Sequence, residues 1–225
     1  YCLGYYSKTL LYKHVKICKN KPSDVIKPGK NCLTNSQTYM ASIISKNHDF
    51  LKTSRIKTEV FGIMRPDEIS ATVKNDSLIC LYGEALLNKH KRQQISTVVS
   101  NKIREMARLL LALKSMVNDI LGLFDALKPE MFKFFILATK QISRFNVETK
   151  SFEAPSLALH LGQNLKVVCD VALKLVIEKR NIPNLSWKDR EEKKKEIKEF
   201  KKLIEGHWCS EISSLALKNL KENQL

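Results

Sequence analysis

Cys2, His14 and Cys18 are the residues whose types and spacing best fit a metal site: eleven residues separate the first thiol from the imidazole, and three separate the imidazole from the second thiol. Thiolate and imidazole suit the tetrahedron that Zn2+ prefers, and a helix bearing His14 and Cys18 at i and i+4 aims both at one point. Tyr6 and Leu11 stand where small zinc-binding modules keep an aromatic and an aliphatic core residue. The set is one donor short. A Cys-x-x-Cys opening would place the fourth two positions before Tyr1, and Cys32 is a remote candidate within the chain. The first residue is Tyr1 and the chain stops at Asn223-Gln224-Leu225 within a polar helical run, so it reads as a piece of a longer protein. The plainer alternative is a pair of ordinary thiols beside a surface histidine.

A second group of residues offers charge rather than ligation. Lys+Arg number 39 against 23 Asp+Glu, a formal net charge of +16 and a pI near 9.6, which calls for an anionic partner such as nucleic acid or a membrane surface. The excess is uneven: residues 1–65 hold 12 Lys/Arg against 3 acids, and residues 66–225 hold 27 against 20. Tyr5, Tyr6 and Tyr12 lie among Lys8, Lys13 and Lys16, with Lys19 and Lys21 following; Arg104 and Arg108 are stacked on one predicted helix, and Lys188, Lys195, Lys198 and Lys202 on another. These are the candidate phosphate contacts, with little sequence preference expected. For the last stripe, Glu191, Glu192 and Glu199 supply the common alternative, a solvated face laced by helix salt bridges. Charge alone leaves RNA open beside DNA. The longest uncharged stretch, Asn31 to Ser45, is largely polar and short of the ~18 apolar residues a membrane span requires, so no span is expected.

Enzyme chemistry finds few footholds. No Gly-x-Gly-x-x-Gly, Walker loop or Gly-x-Ser-x-Gly occurs, and seven glycines leave little material for a phosphate cradle. Glu68, Glu84 and Asp119 read as solvated or capping acids. No catalysis is expected within these residues. The six scattered cysteines are unlike a disulfide framework and point to a reducing compartment.

The elements that must carry these groups are helical. Seven glycines and six prolines are about half the usual share. Lys19 to Lys30, with Pro22, Pro28 and Gly29, reads as a basic linker, and Tyr39, Ile43 and Ile44 share a helical face beyond Thr34. After Pro66, Asp67-Glu68 opens a helix, Asp76 or Ser77 caps the next, and Ser96 precedes a long one with Ile103, Met106, Leu110 and Leu113 on its buried face. Pro155-Ser156 starts a helix with Leu157, Leu161, Leu165, Val168, Ala172 and Leu175 in register, expected at the centre of the core. Asn184 to Ser186 cap the last, whose inner face is Ile197, Phe200, Ile204 and Trp208. No strand pattern of useful length and no internal repeat appears. The expectation is an all-α fold: a partial finger over 1–20, a basic linker over 21–33, and a bundle of five to seven helices over 34–225.

Cys2-Leu3-Gly4-Tyr5-Tyr6-Ser7-Lys8 with His14-Val15-Lys16-Ile17-Cys18 carries a resemblance, as do Gly62-Ile63-Met64-Arg65-Pro66-Asp67-Glu68-Ile69-Ser70, Arg104-Glu105-Met106-Ala107-Arg108-Leu109-Leu110, Pro155-Ser156-Leu157-Ala158-Leu159-His160-Leu161-Gly162 and Trp208-Cys209-Ser210-Glu211-Ile212-Ser213-Ser214. Across most of its length the chain resembles animal proteins similar to Crypton-type tyrosine recombinases. The resemblance implies a zinc finger and a helical core-binding region in the nucleus, ahead of a catalytic domain that uses a tyrosine assisted by arginines and a His-x-x-Arg pair. None of the five histidines is followed three places later by Arg, and the last tyrosine is Tyr82, so no catalytic residue is carried over. On this reading the chain grips DNA, and zinc is its cofactor. The alternative is a helical protein-interaction scaffold whose finger docks a protein partner or a second copy.

Overall fold

The computed structural model describes residues 7–19, 54–90, 95–178 and 186–222. The expected linker and the helix expected from Thr34 lie outside them.

Short-range chemistry sets most boundaries. Helix α1 (Lys8–Ile17) starts behind Ser7, whose Oγ accepts from the Leu10 amide at 3.4 Å. A π-helical turn at Ile56–Val60 is capped from a distance: Glu84 accepts from the amides of Arg55 (3.3 Å) and Ile56 (2.9 Å), while Arg55 donates to the Leu87 carbonyl at 2.9 Å. The charges of two segments thereby complete one another's termini. Helix α2 (Glu68–Asn75) has a reciprocal cap in which Asp67 Oδ1 accepts from the Ser70 amide at 2.8 Å and Ser70 Oγ accepts from the Asp67 amide at 3.3 Å. Asp76 then caps α3 (Ser77–Lys89) through the Ile79 amide at 2.9 Å.

Helix α4 (Ile95–Met116) buries Ile103, Met106, Leu110 and Leu113, as its periodicity requires. A single turn, α5 (Leu123–Ala126), and a 3-10 turn at Pro129–Met131 lead into α6 (Phe132–Ile142). A hairpin of two-residue strands follows, β1 (Phe145–Asn146) antiparallel to β2 (Ser151–Phe152), with Phe145 opposite Phe152. Their rings lie 4.9 Å apart. Helix α7 (Pro155–Glu178) packs against α3, α4, α6, α8 and α9, where α8 is Trp187–Trp208 and α9 is Ser214–Glu222, separated by a second π-helical turn at Cys209–Ser213.

The architecture is all-α, with α7 in the centre as expected and α4 beside it. Eight helices follow α1 in the described residues, above the five to seven expected, because the one-turn α5 and the break between α8 and α9 leave little trace in a periodic pattern. The inner face of α7 also departs from the simple stripe. Leu161, Leu165, Val168 and Ala172 are buried, yet Leu157 and Leu175 are only partly so. Ala158, Gly162, Cys169 and Val176 take the remaining core positions. Helices press on α7 from several sides, so small residues are buried where neighbours come closest. Among the described residues no helix is long and apolar enough to cross a membrane.

Candidate nucleic-acid interface and metal donors

Helix α1 carries most of the basic residues of the 7–19 segment. Lys13, Lys16 and Lys19 are exposed, Lys8 lies in the first turn, and no acid interrupts the segment. His14 and Lys16 sit in the last turn, where cations complement the helix dipole. His14 is half-buried; Cys18 is buried, and it ends the helix as an extended cap rather than continuing it. Two of the three expected zinc donors are thus four residues apart at one helix end. Cys2 lies outside the described residues, as does Lys21, and among the described residues no group of three His, Cys, Asp or Glu side chains comes together.

The two arginines of α4 part company. Arg104 is spent internally: its guanidinium grips Asp67 bidentately, Nη1 to Oδ1 at 2.9 Å and Nη2 to Oδ2 at 2.6 Å, pinning the start of α2 to α4. This pair, with the Ser70 amide, holds the Asp67 carboxyl below the usual carboxylate range despite some desolvation. The sequence places Arg104 among the candidate phosphate contacts, whereas in the structure both of its Nη atoms are engaged by Asp67. Arg108, one turn on, is exposed and has no hydrogen-bond or ion-pair partner among the described residues.

The lysine stripe of α8 is mixed. Lys195 lies 3.9 Å from Glu199, and Lys194 lies 3.3 Å from Glu191; Lys188, Lys198 and Lys202 are exposed. Lys201 reaches Asp170 of α7 at 2.6 Å, and that contact raises its ammonium above the ordinary lysine value. Lys193 turns inward. Buried under the Phe124 ring, it donates to the Leu127 carbonyl at 3.2 Å and to Glu196 at 3.0 Å, and burial lowers its ammonium.

A polar cluster between α4 and α7 was not expected. Glu105 accepts from Asn164 Nδ2 at 3.0 Å and lies 3.8 Å from His160 Nδ1. Desolvation raises its carboxyl, opposed by His160, Arg108 and Lys102. The sequence signal was present in the i, i+3, i+6 spacing of Lys102, Glu105 and Arg108, whereas the α7 half depends on how two helices cross.

Comparison with protein families, with characterised proteins and with solved structures returns no match.

Proposed function

We propose that this chain is a nuclear, DNA-binding segment of a transposon-derived, Crypton-type recombinase-like protein, in which α1 and the basic residues around it contact the phosphate backbone. The observation that carries this reading is the run of Lys8, Lys13, Lys16 and Lys19 on and beside one capped helix, with no acid between residues 7 and 19. Lysines of this kind displace condensed counterions from DNA without reading bases. Cys2, His14 and Cys18, with a fourth donor from outside Tyr1–Leu225, would hold Zn2+, whose role in so small a module is to fold it. The chain contributes binding and no catalytic step.

Titration of a labelled DNA duplex at several salt concentrations tests the reading. The expected logarithmic salt slope is roughly −4 to −5, and replacing Lys13, Lys16 and Lys19 with Gln flattens it by about two to three units, since each phosphate contact contributes about 0.9. A folded chain that ignores duplex even at low salt excludes the reading. The second reading, a helical protein-interaction scaffold, would then lead, favoured by the internal pairing of Lys194, Lys195 and Lys201 on α8.

A further inference from the structure

Within the helical body some cations pair with nearby acids, as Lys194, Lys201 and Lys218 do, and others do not; two of the latter lie on the seam between α4 and α7. Lys102 and Arg108 stand on α4, one helical turn to either side of Glu105, and neither has a hydrogen-bond or ion-pair partner among the described residues. His160 of α7 adds a third nitrogen-bearing side chain, 63% exposed, beside the same carboxylate. Glu105 is the acid that all three face, and it is turned into the seam: its side chain is only 15% exposed, and Oε2 is held by Asn164, itself buried. The outward-facing groups of this seam are therefore cationic or neutral, and its carboxylate is withdrawn between the helices. The neighbouring Arg104 adds no free charge because Asp67 holds it.

Helix α7 separates this seam from the lysines of α8. It turns Gly162 toward Trp208 of α8, and His160 and Asn164 toward α4. Two mutually packed helices present Lys102, Arg108 and His160, so little backbone ordering is left to oppose an encounter with an extended polyanion, and the cost that remains is that of ordering the side chains themselves. Arginine suits phosphate through its planar fork of donors, and lysine adds a point charge.

We infer that Lys102, Arg108 and His160 form a second phosphate-contacting patch on the α4–α7 seam, by which the helical body itself engages the backbone of duplex DNA. The inference rests on the DNA reading proposed above and adds to it a site independent of α1. Glu105 tempers the patch.

The same salt-dependent duplex titration on the full chain decides the matter, with three variants whose folds are checked by circular dichroism. Lys102→Gln/Arg108→Gln is expected to weaken binding on the order of tenfold and to flatten the salt slope by about two units. Glu105→Gln keeps an oxygen for Asn164 and removes the negative charge, so it is expected to tighten binding several-fold, a gain that a damaged fold does not produce. Lys194→Gln/Lys218→Gln removes two lysines that already pair with Glu191 and Glu222, and serves as the charge-matched control. If the wild type binds duplex but the seam variants behave like the control, the patch is wrong and the role of α1 survives. If the wild type does not bind duplex, both fall.

Discussion

Two aspartates, each closing the start of a helix, show how much a residue's surroundings decide. Asp67 faces Arg104 and stays charged; Asp76 is buried, and burial pushes its carboxyl up even though it accepts amide hydrogen bonds from Ile79 at 2.9 Å and Leu123 at 2.7 Å. Each oxygen of Asp76 serves a different segment, so Asp76→Asn must turn an amide NH2 toward one N–H. The expected cost is about 1–3 kcal/mol in denaturant unfolding. Lys74 gives the opposite test. Wholly buried over the Phe61 ring, its ammonium is lowered to about 8 by desolvation, from an ordinary 10.5. Between those values the unfolded chain holds a proton that the folded chain has released, so stability is expected to rise with pH through that window. In Lys74→Met this rise should shrink to what Lys193, also lowered by burial, contributes; a rise of undiminished size would place the responsible group elsewhere. On the acid side Asp67 gives a slope of the same sign, since its lowered carboxyl contributes stability that is lost as pH falls through its folded value.

At the scale of elements, helix crossings carry the specificity. Gly162 lies against the Trp208 indole so closely that a Cβ built on it would meet Nε1 at 2.3 Å. Trp208 is buried and cannot swing aside freely. Gly162→Ala is therefore expected to destabilise by about 1–3 kcal/mol, through strain rather than through a change of helix propensity, which would favour alanine. Combining it with Trp208→Leu separates the two causes: if overpacking is responsible, the double variant loses less than the sum of the single losses. Additive losses would mean that α7 and α8 do not meet as described. Helix α8 teaches a related lesson with charge. Lys193, Lys194 and Lys195 are consecutive in the sequence, and only the first is buried, because a helix turns each residue about 100° from the last and the Phe124–Leu127 segment meets one side of it.

For the molecule as a whole, the core among the described residues is one continuous cluster running from Ile56 to Ala216, so the helices that build it should unfold together. Trp208 is 3% exposed and Trp187 is 74% exposed, so a Trp187→Phe variant leaves one buried reporter. Its emission and the helical circular dichroism are expected to follow a single denaturant transition; two separated midpoints would divide the core into independent parts. The sequence by itself determined what short-range forces determine. Gly and Pro scarcity, the helix starts read at Asp67-Glu68, at Asp76 or Ser77 and at Asn184 to Ser186, and the periodic faces of α4 and α8 all specify helices, because each rests on contacts within about four residues. It likewise made the basicity of residues 7–19 plain. Only the tertiary structure decided which cations are free. Arg104 and Arg108 are one turn apart and look alike in the sequence, but Asp67 lies 37 residues before Arg104 and reaches it only once α2 packs on α4. Glu105 and Asn164, 59 residues apart, meet for the same reason. A helical period says which residues share a face; what stands opposite that face depends on how the helices cross, and crossings are set by packing across the whole core.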